Sequence, residues 1–286
     1  MQHFSLQLQS RTALVIRDSF SDHRIRLERL AELTGGSVEE TSPPPHVILL
    51  PEDQLPSAVC RIRKWVNADM YFLPEKMTFF MVPDPEKWGT DEFLVHLWQM
   101  SLEAAVVSAA FRGEDLLLIH GALLDTACGG ILLCGQSGMG KSTSSRRWRE
   151  AGGTVFADDM ILLEFAENTI TAHPMPTWSR CRISLDGEHF PFDRTIPLRR
   201  VIALARGTER EELKSVSETE YFMNIYSACI FFYSALLKPF AGEWQARLLR
   251  QVRSKADQLA KLTPPIAFFA RLDGNIKETF RDVIPE

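Results

Sequence analysis

The stretch Ile131–Trp148, ILLCGQSGMGKSTSSRRW, decides the fold class. An apolar run, Ile131 to Cys134, leads into Gly135-Gln136-Ser137-Gly138-Met139-Gly140-Lys141-Ser142, which matches GxxxxGK[ST]. A polar, helix-compatible segment follows. Strand, glycine loop and helix in that order make a phosphate-binding loop. The glycines let the backbone turn tightly, so that successive N–H groups converge on phosphate oxygens. The helix opening at Lys141 adds the positive end of its dipole. Lys141 has the reach and charge to meet β- and γ-phosphates, and the Ser142 hydroxyl suits Mg²⁺. Gly135 to Ser142, with the adjoining Thr143, are the expected ATP contacts.

Downstream, Thr154–Glu164 reads TVFADDMILLE, an apolar strand with Asp158 and Asp159 in its middle. Adjacent carboxylates in such a run are costly to desolvate unless a cation or a proton-transfer role compensates. Side chains alternate along a strand, so one carboxylate is expected to meet the metal and the other the acceptor hydroxyl. A strand end with a single metal ligand is the plainer alternative. Upstream, DLLLIHGALLD (Asp115–Asp125) places His120 at the expected end of a strand, beside Gly121. Alone it reads as structural; its position ahead of the loop brings acid–base work into view.

Farther out, the chain alternates short apolar runs with amphipathic segments. Strands are expected at His46–Leu50 and Met77–Val82, with helical spacing over Pro56–Val66 between them. Asp91–Phe111 reads as a long helix, N-capped by Thr90 and followed by Gly113. Further strands are expected at 116–119, 130–134, 154–157, 160–165, 201–205 and 265–272. Helices are expected at 141–151, 217–237 and 242–262, with a short terminal one. A boundary near residue 112 separates an amino-terminal α+β region, 1–112, from an α/β P-loop domain, 113–286.

The 286 residues are 45% apolar and 24% charged, as in an ordinary globular protein, and the net charge of -5 leaves no footprint for nucleic acid. The five cysteines show no zinc or disulfide spacing. The amino terminus lacks a signal-peptide pattern. Tyr221–Phe240, the most apolar stretch, is too polar for a bilayer span of about 20 residues and reads as a buried helix. A cytoplasmic protein without membrane or nucleic-acid partners is expected.

The segment IHGALLDTACGGILLCGQSGMGKSTSSRRWREAGGTVFADDMILLE resembles the catalytic core of bacterial HPr kinase/phosphorylase, in which a His-Gly strand, a GxSGxGKS loop and an Ala-Asp-Asp strand follow in this order. The resemblance covers Ile119 to Glu164. It implies the fold shared with phosphoenolpyruvate carboxykinase, with Gly135 to Ser142 on ATP and Lys141 on the transferring phosphoryl group. It further implies Ser142 on Mg²⁺, Asp159 as the base, and Asp158 and His120 supporting metal and phosphate; the roles of the two aspartates stay interchangeable. By the same resemblance an oligomer is expected.

Two departures separate the chain from that family. Thr143 stands where the family has glutamate, and the glycine-rich signature with a metal-binding glutamate is replaced by NTITAHPMPTWSRCRISLDG (168–187). The segment that grips HPr and runs phosphorolysis is therefore missing from the resemblance. His173 reads as a loop residue before Pro174, while Arg180 and Arg182 are candidates to neutralise phosphate charge. The chain looks more like the HPr-kinase-related proteins of peptide-modification gene clusters, such as the SynChlorMet cassette. That likeness points to a hydroxyl, a serine for preference, on a peptide or small protein. A small-molecule kinase and a nucleotide-binding regulator with impaired catalysis are the alternatives.

Overall fold

The computed structural model describes residues 2–8, 13–22, 25–40, 43–64, 67–87, 90–136, 138–167, 169–175, 194–206, 210–237, 240, 242–271 and 274–281. It is a mixed α/β protein with two sheets. The chain divides into two compact units. One comprises Met1–Leu116, Met175–Arg194 and Leu236–Leu248; the other comprises Leu117–Pro174, Thr195–Ala235 and Leu249–Glu286.

The first unit is built on β1 (Gln2–Gln7), β2 (Ala13–Asp18), α1 (Leu27–Thr34), β3 (Ser37–Glu39), β4 (Val47–Leu49), β5 (Cys60–Lys64), β6 (Ala68–Leu73), β7 (Thr78–Pro83) and α2 (Asp91–Phe111). Its seven-stranded sheet has the order β3-β1-β2-β4-β7-β6-β5. Strands β2, β4 and β7 run parallel, and the other pairs are antiparallel. The helix expected over Pro56–Val66 is instead strand β5, with Cys60 opposite Phe72 and Lys64 opposite Asp69. Cys60-Arg61-Ile62-Arg63 alternates with period two, and pairing with β6 outweighs the weak helical spacing.

Helix α2 forms over the expected residues. The Thr90 hydroxyl accepts from Phe93 N at 3.2 Å, and Asp91 and Glu92 favour the positive end of the helix. Thr90→Ala should therefore cost about 1 kcal/mol in chemical denaturation. By length and composition α2 is the one helix among the described residues able to cross a membrane, and 89% of its apolar window is buried. At its carboxyl end an aromatic cluster gathers Phe72, Phe111, Phe240 and Trp244, with Phe72 5.5, 5.2 and 5.4 Å from the other three.

His46 is buried and neutral in this unit. Its Nδ1 accepts from Val15 N at 3.1 Å, so its proton sits on Nε2, which faces Glu114 Oε1 at 3.3 Å. Burial holds its pKa below the ordinary 6.5. Since the unfolded chain binds the proton more readily, this contribution is complete above pH 6.5 and is lost as pH falls through the lower folded value. A Tm–pH profile should decline below that point, and His46→Gln should flatten it at some cost in stability at neutral pH.

The second unit contains β8 (Leu116–Thr126), β9 (Gly129–Cys134), α3 (Lys141–Glu150), β10 (Thr154–Ala157), β11 (Met160–Phe165), β12 (Ile170–Pro174), β13 (Ile196–Arg206), β14 (Glu212–Ser215), α4 (Glu218–Leu237), α5 (Gly242–Leu262), β15 (Ile266–Ala270) and α6 (Ile276–Thr279). Helices α4 and α5 run on into the first unit's residues. The sheet order is β10-β8-β11-β12-β13-β15-β14, with β9 between β8 and β13. Strands β8, β11, β12, β13 and β9 thus close a ring. Two long strands make this possible: β13 pairs with β12 through Ile196 and Pro197, and with β9 from Leu198 onward.

β8 outruns the expected 116–119 because Gly121 lets β9 approach. A Cβ there would lie 2.6 Å from Leu132 Cδ1 and 3.0 Å from Leu133 O. Helix α4 forms as expected, yet it is not buried throughout: Met223 is 51% and Phe231 45% exposed.

Candidate functional site

The GxxxxGK[ST] motif connects β9 to α3. Gly138 (φ 80°) and Gly140 (φ 97°) occupy left-handed conformations, and a Cβ at either would meet nothing within 4 Å. Glycine is thus required for conformation rather than for space, and the side of the loop those positions line stays open. The cap residue of α3, Gly140, offers no side-chain acceptor, and its first turn holds no acidic residue. No acidic side chain in that turn offsets the positive end of the helix dipole. Gln136 and Met139 belong to the same turn, where Met139 N donates to Gln136 O at 3.3 Å. Ser142 lies exposed and Thr143 half-buried on the first turn of α3. Ser137 lies outside the described residues.

Lys141 folds back over the loop. Its Nζ donates to Gly135 O at 2.9 Å and to Gln136 O at 3.0 Å, and the residue is 5% exposed. Burial lowers its pKa; the negative charge of Asp159 and the thiol of Cys134 work against that shift. Burial also pushes the Cys134 thiol up to about 12, so it stays protonated.

Register carries His120 to this place. Gly121 on β8 stands opposite Cys134 on β9, so His120 is the next residue along, beside the start of the loop at Gly135. Contrary to the expectation of a strand end, it sits inside β8. Gly121 N donates to Asp159 O at 3.0 Å, and His120 Nδ1 lies 3.1 Å from Asp159 Oδ1.

The aspartates are not in mid-strand either. β10 ends at Ala157 and β11 begins at Met160, leaving Asp158 and Asp159 in a bend. Strand alternation therefore does not govern them. Asp158 is 5% exposed, whereas the Asp159 side chain is 31% exposed. The structure thus brings His120 and Asp159 together beside the start of the loop, with Asp158 buried next to them in the chain.

His173 has another setting. It lies on β12 rather than in a loop, and its Nε2 is 2.9 Å from Glu164 Oε2 on β11, both side chains buried. Glu164 was legible only as the end of an apolar run, without a hint of this partner. Trp178, Arg180, Cys181 and Arg182 lie outside the described residues. Two contributors escaped the sequence. Phe231 of α4 stacks on the His120 ring, centroids 4.3 Å apart and planes at 22°. Arg147 of α3 makes a buried bidentate pair with Glu211 at 2.6 and 2.9 Å. Their signals were an unbroken aromatic run on a helix and a basic residue in the last turn of a polar one.

No group of three or more His, Cys, Asp or Glu suited to a metal occurs among the described residues. The hydroxyl of Ser142 and the carboxylate of Asp158 are hard oxygen donors of the type Mg²⁺ takes, and Mg²⁺ is ordinarily completed by phosphate and water.

The profile of the SynChlorMet cassette protein ScmC family matches residues 86–284, more than half of the chain. The chain belongs to the ScmC family. The ScmC match takes in His120, the whole loop and both aspartates. Among solved structures, the Hpr(Ser) kinase/phosphatase from Coxiella burnetii shares 16% identity with this ScmC-family chain. That match covers 35% of this chain and 77% of the other, with a TM-score of 0.26, a distant likeness. No curated protein matches the chain.

Proposed function

We propose that this ScmC-family protein is an ATP- and Mg²⁺-dependent kinase acting on a hydroxyl, serine for preference, of a peptide or small protein. The observation that carries this reading is the placing of the His120–Asp159 pair beside the start of a glycine loop whose lysine lies within the electrostatic reach of Asp159.

In this reading the N–H groups at the start of α3 and Lys141 hold the phosphates. Lys141, whose Nζ donates to Gly135 O and Gln136 O, exchanges these bonds for phosphate oxygens. Ser142 and Asp158 would hold Mg²⁺, which when bound neutralises phosphate charge. Asp159, partly open to solvent, takes the acceptor's proton. As the acceptor oxygen bonds to the γ-phosphorus, the bond from that phosphorus to the β,γ-bridging oxygen breaks and ADP departs. His120 Nδ1, 3.1 Å from Asp159 Oδ1 and without a hydrogen-bond partner among the described residues, would steady that carboxylate once the two align. The catalysis is largely positioning and charge stabilisation.

The test uses the full chain, ATP and Mg²⁺, with peptides encoded beside its gene. Phosphate should pass to a peptide. Lys141→Ala should weaken ATP binding about 10–100-fold, the loss of contacts worth about 1.5–3 kcal/mol to a charged group. Tight ATP binding that never leads to transfer, with no effect of Lys141→Ala, would replace this reading by that of a nucleotide-binding regulator.

A further inference from the structure

Helix α4 presents an apolar surface that is open among the described residues. Between Tyr221 and Ser234 it carries no Asp, Glu, Lys or Arg. Its inner side is satisfied: Tyr221 Oη donates to Val201 O at 2.6 Å, and Tyr233 Oη accepts from Leu118 N at 2.8 Å. Its outer side shows Phe222, Met223, Tyr226, Ile230 and Phe231, all intermediate or exposed. Uncharged Asn224, Ser227 and Ser234 are interspersed on that side, and contiguous exposed apolar groups of this size ordinarily mark a binding surface. Here Met223 and Phe231 are the two most exposed large apolar residues described, and Phe222 and Tyr226 stack at 5.8 Å with planes 12° apart.

Both ends of this seam have a setting. One ends on the catalytic cluster, where Phe231 covers a face of the His120 ring. At the other, Phe222 lines a cleft of about 690 Å³ together with Glu218, Asp257, Lys261 and Pro264. Eight residues of helix separate Met223 from Phe231, little more than two turns and a rise of about 12 Å, which about four residues of extended chain would match.

We infer that this seam is the docking surface for the acceptor polypeptide, which lays apolar side chains within about four residues of the phosphorylated hydroxyl along Met223, Tyr226, Ile230 and Phe231. The inference rests on the kinase reading above. Continuity with His120 decides the occupant: whatever lies along the seam reaches the transfer site. A second copy of this chain seated there would compete with the acceptor for Phe231 beside His120. The lack of charge along the seam calls for apolar residues in the partner, not basic or acidic ones.

The test is phosphorylation by the full chain of degenerate peptides with a central serine, one flanking position at a time being fixed. Leu, Ile, Phe and Met should be selected within four positions of the serine. Met223→Ser and Tyr226→Ser, both away from His120, should raise the peptide KM about tenfold and leave the KM for ATP unchanged. Phe231→Ser should lower kcat as well. Flat or charge-directed selection, or variants with an unaltered peptide KM, would overturn the docking surface while leaving the kinase reading intact. Binding of ATP without transfer to any peptide would overturn both. Sedimentation distinguishes the remaining occupant: a dimer dissociated by Met223→Ser would give the seam to a second copy and refute the inference.

Discussion

Asp159→Asn is expected to reduce phosphoryl transfer by about 10²–10⁴-fold, the range for losing a positioned general base, while ATP binding stays near that of the wild type. Asparagine keeps the size of the side chain and cannot take a proton. The backbone contact from Gly121 N to Asp159 O, at 3.0 Å, survives the change, so the bend between β10 and β11 should keep its shape. The contact with His120 Nδ1 loses its negative partner. Single-turnover transfer and equilibrium ATP binding, measured side by side, separate chemistry from binding. Asp158→Asn supplies the control, because Asp158 is buried and assigned to the metal: its defect should ease as Mg²⁺ is raised, whereas that of Asp159→Asn should not. Equal transfer by Asp159→Asn and wild type would remove this residue from the base role, and rescue of both variants by Mg²⁺ would make both carboxylates metal ligands.

Arg147→Ala is expected to destabilise the second unit by about 3–5 kcal/mol, a large share of a typical folding free energy of about 5–15 kcal/mol. Glu211 is almost fully enclosed, with 3% side-chain exposure, and Arg147 has 9%. Besides the two bonds from Arg147, Glu211 accepts from Arg271 N at 3.0 Å, and Arg147 Nη2 also donates to Gly274 O at 2.6 Å. Removing the guanidinium leaves a desolvated carboxylate without its counter-charge. The replaced pair behaves differently: Arg147→Met with Glu211→Leu should recover much of the loss, since two apolar groups no longer require the charge. Chemical denaturation of the wild type, single and double variants checks this. A single variant as stable as wild type would mean that water or a nearby cation reaches Glu211. Because Arg147 lies on α3, whose first turn adjoins the loop, the single variant should also weaken ATP binding at temperatures where the fold persists.

The parts of this protein that were legible in the sequence are those governed by neighbours a few residues apart. Thr90 and the acids after it announce α2 because capping is settled within one turn. Gly138, Gly140 and Lys141 announce the loop because a left-handed conformation excludes most other residues, and because the lysine lies at the start of the next helix. Expectations failed where local periodicity was ambiguous. In 60–63 a short alternation competed with helical spacing, and only the partner strand β6 settled it. Around Asp158 the two expected runs, 154–157 and 160–165, matched the strands found, whereas the reading of 154–164 as one strand missed the bend between them.

Taken alone, then, the sequence determined that a strand, a glycine loop and a helix stand together, and that a histidine and two aspartates flank them. The tertiary structure decided which atoms meet. His120 reaches the loop through the pairing of Gly121 with Cys134, a matter of register between two strands. Phe231 reaches His120 across 111 positions of chain, and Arg147 reaches Glu211 across 64 and Gly274 across 127. Such contacts leave no periodic trace, because their partners become neighbours only when the sheet is assembled. The entropy of closing those long loops is offset by the burial of the whole unit, not by any one contact.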